Sequence, residues 1–215
     1  MKNYVEVAYS NREKPKTEYP TQLARYLMNR FHLTKGMKIL DNGCGRGDFL
    51  NAFSEQGLEA HGTDLSSACT EAVVVDLERD SLPFPDDYFD AVFSKSVIEH
   101  LTSCENYMSE MRRVLKKDGW LILMAPDWKS QYKIFYEDPT HVHPYTVKSI
   151  ERLLAMFEFR EIEVEEFTQL PSTWNNVAIQ TISRLVKKLG PVDKVYKNKF
   201  FRFSRELMIL GSGRK

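Results

Sequence analysis

The chain has 215 residues with 30 basic and 30 acidic side chains, so no global field directs it to nucleic acid or to a membrane. That length suits one domain with a substantial core. Cys44, Cys69 and Cys104 form no Cys-x-x-Cys pair and no disulfide framework, and no signal-type or membrane-length apolar run occurs, so a reducing cytoplasm is the expected compartment.

Residues 1–19 are polar, contain tyrosines and show no period, which predicts a loosely held arm that closes over a ligand. Pro20 stands where a first helical turn begins, and Leu23, Tyr26, Leu27 and Phe31 recur at helical spacing. Ile39 and Leu40 read as the end of a buried strand. Asp41 follows, then Gly43, Gly45 and Gly47, then Phe49 and Leu50 inside a helix that ends near Gly57. Glu59–Asp64 is a short second strand and the β-branched run Ala72–Leu77 a third. Leu82–Asp86, LPFPD, carries two prolines and is neither helix nor central strand. Tyr88–Ser94 is a fourth strand. Tyr107, Met108, Met111, Val114 and Leu115 mark a helix, with Lys116, Lys117 and Gly119 as its C-terminal signals. Trp120–Ala125 is continuously apolar, as in a strand buried on both faces. Val147, Ile150, Leu153, Leu154 and Phe157 define another helix. Ile162, Val164 and, after a slip, Phe167 suggest a sixth strand, and Glu206–Leu210 a seventh. This alternation predicts a doubly wound, mostly parallel α/β sheet of seven strands, with ligands at their carboxyl ends. A single domain is expected: an arm to residue 19, a core over 20–170, an inserted helical segment over 171–205 and a closing strand over 206–215.

Glycines at the first strand-to-helix turn let the backbone bend and let a ligand approach where a Cβ would collide. Their Gly-x-Gly-x-Gly spacing, with an acid two residues ahead, differs from the Gly-x-Gly-x-x-Gly of dinucleotide sites. An acid there repels phosphate and suits a cationic ligand such as a sulfonium amino acid. Asp64 ends the second strand about twenty residues on, where a carboxylate meets ribose hydroxyls. Asp76 ends the third, where it can accept from an adenine amino group while the Leu77 backbone N–H faces a ring nitrogen. Three acids at the ends of three consecutive strands point to one nucleoside ligand.

With LPFPDDYFDAVFSKSVIEHL, Leu82 to Leu101, added to these residues, the chain resembles the class I S-adenosylmethionine-dependent methyltransferases, in particular the small, type 11-like members with an LPFPDxxFD signature. The resemblance covers roughly residues 36–160 and the closing strand pair. It implies a Rossmann-like sheet whose last strand is antiparallel, with S-adenosylmethionine as cofactor and S-adenosylhomocysteine as product. It implies that Asp41, Gly43 and Gly45 hold the methionine end, Asp64 the ribose, and Asp76 with Leu77 the adenine, while Ser94 lines the sulfonium pocket. Asn42 departs from the usual apolar residue before the first glycine. The short LSSACTEA segment after Asp64 predicts a truncated second crossover helix.

A sulfonium methyl is already activated, so the protein mainly aligns a nucleophile and removes a proton. His141 and His143, in the EDPTHVHPYT loop after the fifth strand, share one side if the segment is extended, and histidine titrates in the range of a general base. A comparable Asp-x-x-His segment lines the acceptor pocket in related enzymes; in the competing reading one histidine only pins the loop. His100 is expected to face the acceptor or to cap a helix. Some quinone-biosynthesis and small-RNA methyltransferases bind a divalent metal through Glu-x-x-Glu-His and a later histidine, which here implies Glu99, His100 and His141. Ser96 replaces the first glutamate, so no resident metal is expected.

Between the last two strands, Trp174, Val177, Ala178, Thr181, Ile182, Leu185, Val186 and Leu189 trace a helical apolar stripe. From residue 184 to 205, Arg184, Lys187, Lys188, Lys194, Lys197, Lys199, Arg202 and Arg205 face one acid, Asp193, a net of plus seven. The expected arrangement is a lid helix that buries its stripe on the sheet and leaves its lysines in water. Contact with an anionic surface or an acidic substrate is the other reading. Tyr196, Phe200, Phe201 and Phe203 interleave the charges and keep RNA open as a partner, although FSKS lacks the Asn/Asp-Pro-Pro-aromatic motif of exocyclic-amine DNA methyltransferases. The expected activity is methyl transfer to a hydroxyl, or an amine, of a small metabolite, sugar or lipid-linked acceptor. The alternatives are an RNA methyltransferase and a non-catalytic S-adenosylmethionine-binding partner subunit.

Overall fold

The computed structural model describes residues 15–189 and 198–215. Most of the predicted arm, and Asp193, Lys194, Tyr196 and Lys197 of the inserted segment, lie outside the described residues. The elements run α1 (Tyr19–Arg30), β1 (Lys38–Asn42), α2 (Asp48–Glu55), β2 (Glu59–Asp64), β3 (Ala72–Val74), β4 (Phe89–Lys95), α3 (Glu105–Val114), β5 (Leu115–Pro126), α4 (Trp128–Gln131), α5 (Val147–Met156), β6 (Arg160–Phe167), α6 (Pro171–Trp174), α7 (Val177–Leu189), α8 (Lys199–Phe203) and β7 (Met208–Arg214).

The strands pair in the order β3-β2-β1-β4-β5-β7-β6. The pairs among β1 to β5 are parallel, and β7 runs antiparallel to both β5 and β6. Alternation along the central strands splits the core in two. Leu40, Val92, Leu121 and Leu123 pack with Met108 and Met111 of α3 and Leu153 and Leu154 of α5. Their neighbours Ile39, Phe93, Ile122 and Met124 pack on the opposite face with Leu23 and Leu27 of α1 and Phe53 of α2. Continuous apolar runs in the sequence are the consequence of having helices on both sides.

Several boundaries differ from expectation. β3 has three residues, with Val73 and Val74 exposed at the sheet edge; the Val75 N–H still donates to the Asp64 carbonyl at 2.9 Å, and the buried Val75 and Leu77 belong to the loop that follows. The second crossover helix is not merely truncated: only turns and bends lie between β2 and β3. Helix α3 ends at Val114, so Lys116 to Gly119 lie in β5 rather than at a helix terminus. β7 begins later and runs on through Gly211 and Gly213, where Cβ atoms would stand within 3 Å of Ile150 and Phe159 side-chain atoms. No slip precedes Phe167. Ile162 and Val164 pack on the α3–α5 face and Phe167 on the other, as strand parity dictates, and the register shift lies between Arg160 and Glu163.

The inserted segment differs most. Asn175 and Asn176 separate α6 from α7, and α7 does not bury its stripe: Val177 is 77% exposed, Ile182 52%, Leu185 51% and Leu189 75%. The sheet face that α7 was expected to cover is already filled. There Phe167 stacks on Trp174 of α6 at 5.4 Å and packs against Tyr26 of α1 at 5.6 Å. Pro126, Met208 and Phe167 are paired across β5, β7 and β6, so the insertion leaves and rejoins the sheet at its carboxyl edge.

Candidate active site

At that edge the turn after β1 is pinned to β2 by the Gly43 and Cys44 N–H groups, which both donate to the Thr63 carbonyl at 2.8 and 2.9 Å. Gly43 has φ +87°, and a Cβ there would lie 2.3 Å from Val97 Cγ2, so only glycine fits. Gly45, at φ +57°, has open space where a Cβ would point. Asp64 closes the turn: its Oδ2 accepts from Gly45 N–H and its Oδ1 from Ser66 N–H, both at 2.8 Å. A carboxylate offers about four lone-pair directions, so two remain for ligand hydroxyls. The strut role was not foreseen; a glycine turn followed by an acid at the next strand end was its only signal.

Asp41, Gly43, Gly45, Asp64, Asp76 and Leu77 line one cavity of about 370 Å³, within the range of small-ligand sites. Five acids and two bases, Arg46 and Lys95, surround it, which favours a cationic ligand. Asp41 is buried and its Oδ2 has no hydrogen-bond partner. Burial pushes its carboxyl up to about 8; the nearby Asp64 and Asp48 add to the rise, while the Leu50 backbone N–H and Lys95 oppose it. Asp76 Oδ1 accepts from Glu78 N–H at 3.0 Å, which orients this carboxylate in the cavity wall.

Ser94 does not line the cavity. It is fully buried, donating to the Asn42 carbonyl at 2.5 Å and lying 2.6 Å from the Tyr107 hydroxyl, which donates to it. Parity along β4 sends the next residue, Lys95, to the cavity instead, followed by Ser96 and Val97. Asn42, the unusual residue before the first glycine, accepts from the Thr63 hydroxyl at 2.6 Å and so joins β1 to β2.

After β4, His100 lines the same cavity, and the His141 ring packs against the His100 ring with centroids 4.7 Å apart. The Thr140 hydroxyl donates to Asp138 Oδ1 at 2.6 Å, so its oxygen accepts from His100 Nδ1–H at 2.8 Å. His141 Nδ1–H donates to the Phe135 carbonyl at 2.6 Å. Both bonds assign the proton to Nδ1 and the lone pair to Nε2. Thr140 and Asp138 are partners that the histidine motif alone did not single out. His143 stands apart: it is exposed, and its Nε2–H donates to the Thr102 carbonyl at 3.1 Å, so it does not share a side with His141. Glu99 lies beneath the pair, buried, its carboxyl raised to about 7 by burial; Ser96 eases it slightly without forming a well-shaped hydrogen bond. Ligand-type atoms of Glu99, His100 and His141 all lie within 4.8 Å of one another.

An open parallel sheet with a glycine turn, a cation-favouring cavity and acids at three strand ends defines a nucleoside-binding enzyme of the Rossmann-like class. A family model described as a methyltransferase domain matches residues 15–164, and the chain belongs to that family. A protein of Methanocaldococcus jannaschii described as uncharacterized is 29% identical over 185 residues, covering 80% of this chain and 79% of that one. The ubiquinone/menaquinone biosynthesis C-methyltransferase UbiE of Bordetella avium is 31% identical over 116 residues, covering 46% of this chain and 44% of that protein. In fold, the chain is similar to a SAM-dependent methyltransferase of Archaeoglobus fulgidus, with TM-score 0.71 at 23% identity, covering 99% and 100% of the two chains. The protein is thus a methyltransferase with the class I fold, and S-adenosylmethionine is its cofactor. The cavity fits that group: Asp41 keeps an oxygen without a hydrogen-bond partner, Gly45 leaves room for close approach, and Asp64 and Asp76 line the same cavity.

Proposed function

We propose that the protein methylates an oxygen nucleophile of a small acceptor seated beside His100 and His141. The observation that carries this reading is a pair of touching imidazoles, His100 lining the cavity and His141 packed on it, each held through Nδ1 so that Nε2 carries the lone pair. In the proposed step an acceptor hydroxyl gives its proton to one Nε2 as its oxygen attacks the sulfonium methyl; the carbon–sulfur bond breaks and S-adenosylhomocysteine leaves. Asp138, through Thr140, stabilises the imidazolium form of His100. The bound sulfonium supplies the activated methyl, and the protein supplies alignment and the base. His143 takes no part.

Transfer of labelled methyl into cell extract, followed by partition into lipid, small-molecule and nucleic-acid fractions, identifies the acceptor class. His100→Gln or His141→Gln, whichever removes the base, is expected to lower transfer by about 10²–10⁴-fold with cofactor binding intact, while His143→Gln changes it less than threefold or so. Equal loss in all three, or none in the first two, refutes the base assignment. Label bonded to carbon in the product refutes an oxygen acceptor.

A second reading is favoured by the convergence of Glu99, His100 and His141. A divalent cation held there would act as a Lewis acid on the acceptor oxygen. Activity unchanged by exhaustive chelation removes this reading.

A further inference from the structure

Helix α7 leaves most of its apolar stripe in water. Its inward side is narrow: Ser183, its buried residue, hydrogen-bonds Ser204 at 2.8 Å between the half-buried Ile179 and Val186, and Lys187 pairs with Glu166. Ala178, Ile182, Leu185 and Leu189 follow at i, i+4, i+7 and i+11, so they form one stripe, and that stripe faces outward. Arg184 and Lys188 are exposed beside it. The described residues between 184 and 205 hold Arg184, Lys187, Lys188, Lys199, Arg202 and Arg205 and no acid, in a chain that is neutral as a whole.

We propose that α7 is an interfacial anchor that seats the protein on an anionic lipid surface. An apolar stripe flanked by lysine and arginine binds such a surface by burial and by charge together. A second copy of the chain is disfavoured because a two-fold contact would set this basic strip against itself. No helix among the described residues is long and apolar enough to cross a membrane, so the contact is peripheral. Its position gives it a consequence. The insertion springs from the carboxyl edge of the sheet, where His100 and the glycine turn stand. From the same edge the segment after β5 exposes Tyr132 and Tyr136, with Lys133 beside the Tyr132 ring, a pairing that favours the headgroup region. Anchoring therefore brings the active-site edge to the bilayer, and an amphiphilic acceptor would be taken from that surface. The anchoring does not depend on which atom of the acceptor is methylated.

The test is flotation of the full chain with vesicles of phosphatidylcholine alone and of phosphatidylcholine with phosphatidylglycerol. Binding is expected to the anionic vesicles, to weaken with added salt, and to fall at least tenfold in the Ile182→Asp/Leu185→Asp variant. Arg184→Gln/Lys188→Gln should weaken it about 25-fold, roughly fivefold per charge. Both variants should bind S-adenosylmethionine as the wild type does, which excludes misfolding as the cause. No binding by the wild type, or equal binding to neutral vesicles, overturns the proposal. A vesicle-independent dimer abolished by Ile182→Asp/Leu185→Asp, or RNA binding abolished by the charge variant without vesicle binding, also overturns it.

Discussion

Alanine at position 43 tests how the cofactor turn is built. The added Cβ must sit at φ +87° and 2.3 Å from Val97 Cγ2. A left-handed backbone costs an L-residue about 1–2 kcal/mol, and forcing a methyl into filled space about 1–3 kcal/mol. Gly43→Ala should therefore destabilise the cofactor-free protein by about 2–5 kcal/mol, a large share of the roughly 5–15 kcal/mol that holds a domain together. Val97→Ala alone removes two half-buried methyl groups and should cost about 1 kcal/mol. In the double variant the clash has no partner, so its loss should be smaller than the sum by about 1–3 kcal/mol. Urea unfolding of the four proteins without cofactor measures this coupling. Gly45→Ala is the control, because its Cβ meets nothing in the protein. It should cost about 1 kcal/mol of stability yet weaken cofactor binding tenfold or more, since the methyl enters ligand space. Additive losses in the cycle, within about 0.5 kcal/mol, would refute the Gly43–Val97 contact; unimpaired cofactor binding in Gly45→Ala would refute the placement of the ligand.

Ser94→Ala leaves the Asn42 carbonyl and the Tyr107 hydroxyl buried without their partner. It should cost about 2–4 kcal/mol in unfolding while the cofactor dissociation constant stays within a factor of two or so. A selective loss of cofactor affinity would restore Ser94 to the sulfonium pocket. For Asp41 the sign follows from burial raising its carboxyl to about 8. The folded protein holds a proton that the unfolded chain has released above the ordinary carboxylate range. Stability without cofactor should thus fall as pH rises from about 4 to about 8, by at most about 1.4 kcal/mol per pH unit for this one proton. Asp41→Asn should remove that component, and an undiminished slope in the variant would assign it to other groups. S-adenosylmethionine should stabilise the wild type increasingly across the same window, because its ammonium partners the carboxylate only when ionised.

What the sequence made legible was what depends on neighbours along the chain. Three glycines after an apolar strand end, acids at Asp64 and Asp76, and a continuous apolar β5 each carry their reason within a few residues, and the structure gathers them at one edge. Ser94 was misread because the end of a strand brings two consecutive residues near a ligand, and only the register with β1 decides which one turns inward. The supposed slip at Phe167 had a related cause: apolar residues of both parities look irregular until both sheet faces are known to be covered. His141 and His143 alternate in sequence, yet the backbone between them is not a strand, and Phe135 and Thr102 hold them in different places. The inserted helix was the hardest to read. Its amphipathic period is plain, but which way the stripe faces depends on whether the sheet has apolar surface to spare, and Phe167, Tyr26 and Trp174 had already filled it.

Several of the groups that oppose folding lie close together. Asp41 and Glu99 are buried carboxyls with raised pKa values, Lys95 acts on both, and Ser96 between them in sequence adopts φ +58°. Left-handed backbone at a non-glycine residue costs about 1–3 kcal/mol and persists only where surrounding contacts impose it. Here it turns the chain after β4 so that Val97 covers Gly43 and Glu99 comes to rest beneath the imidazoles. Elsewhere the two core layers are largely apolar, with helices on both faces. The sheet thus supplies a rigid body whose stability offsets a carboxyl edge that no packing optimum would produce. A cationic cofactor would relieve much of that burden, since its ammonium can partner Asp41. The protein should be least stable at its active edge when empty, and binding should order that edge first.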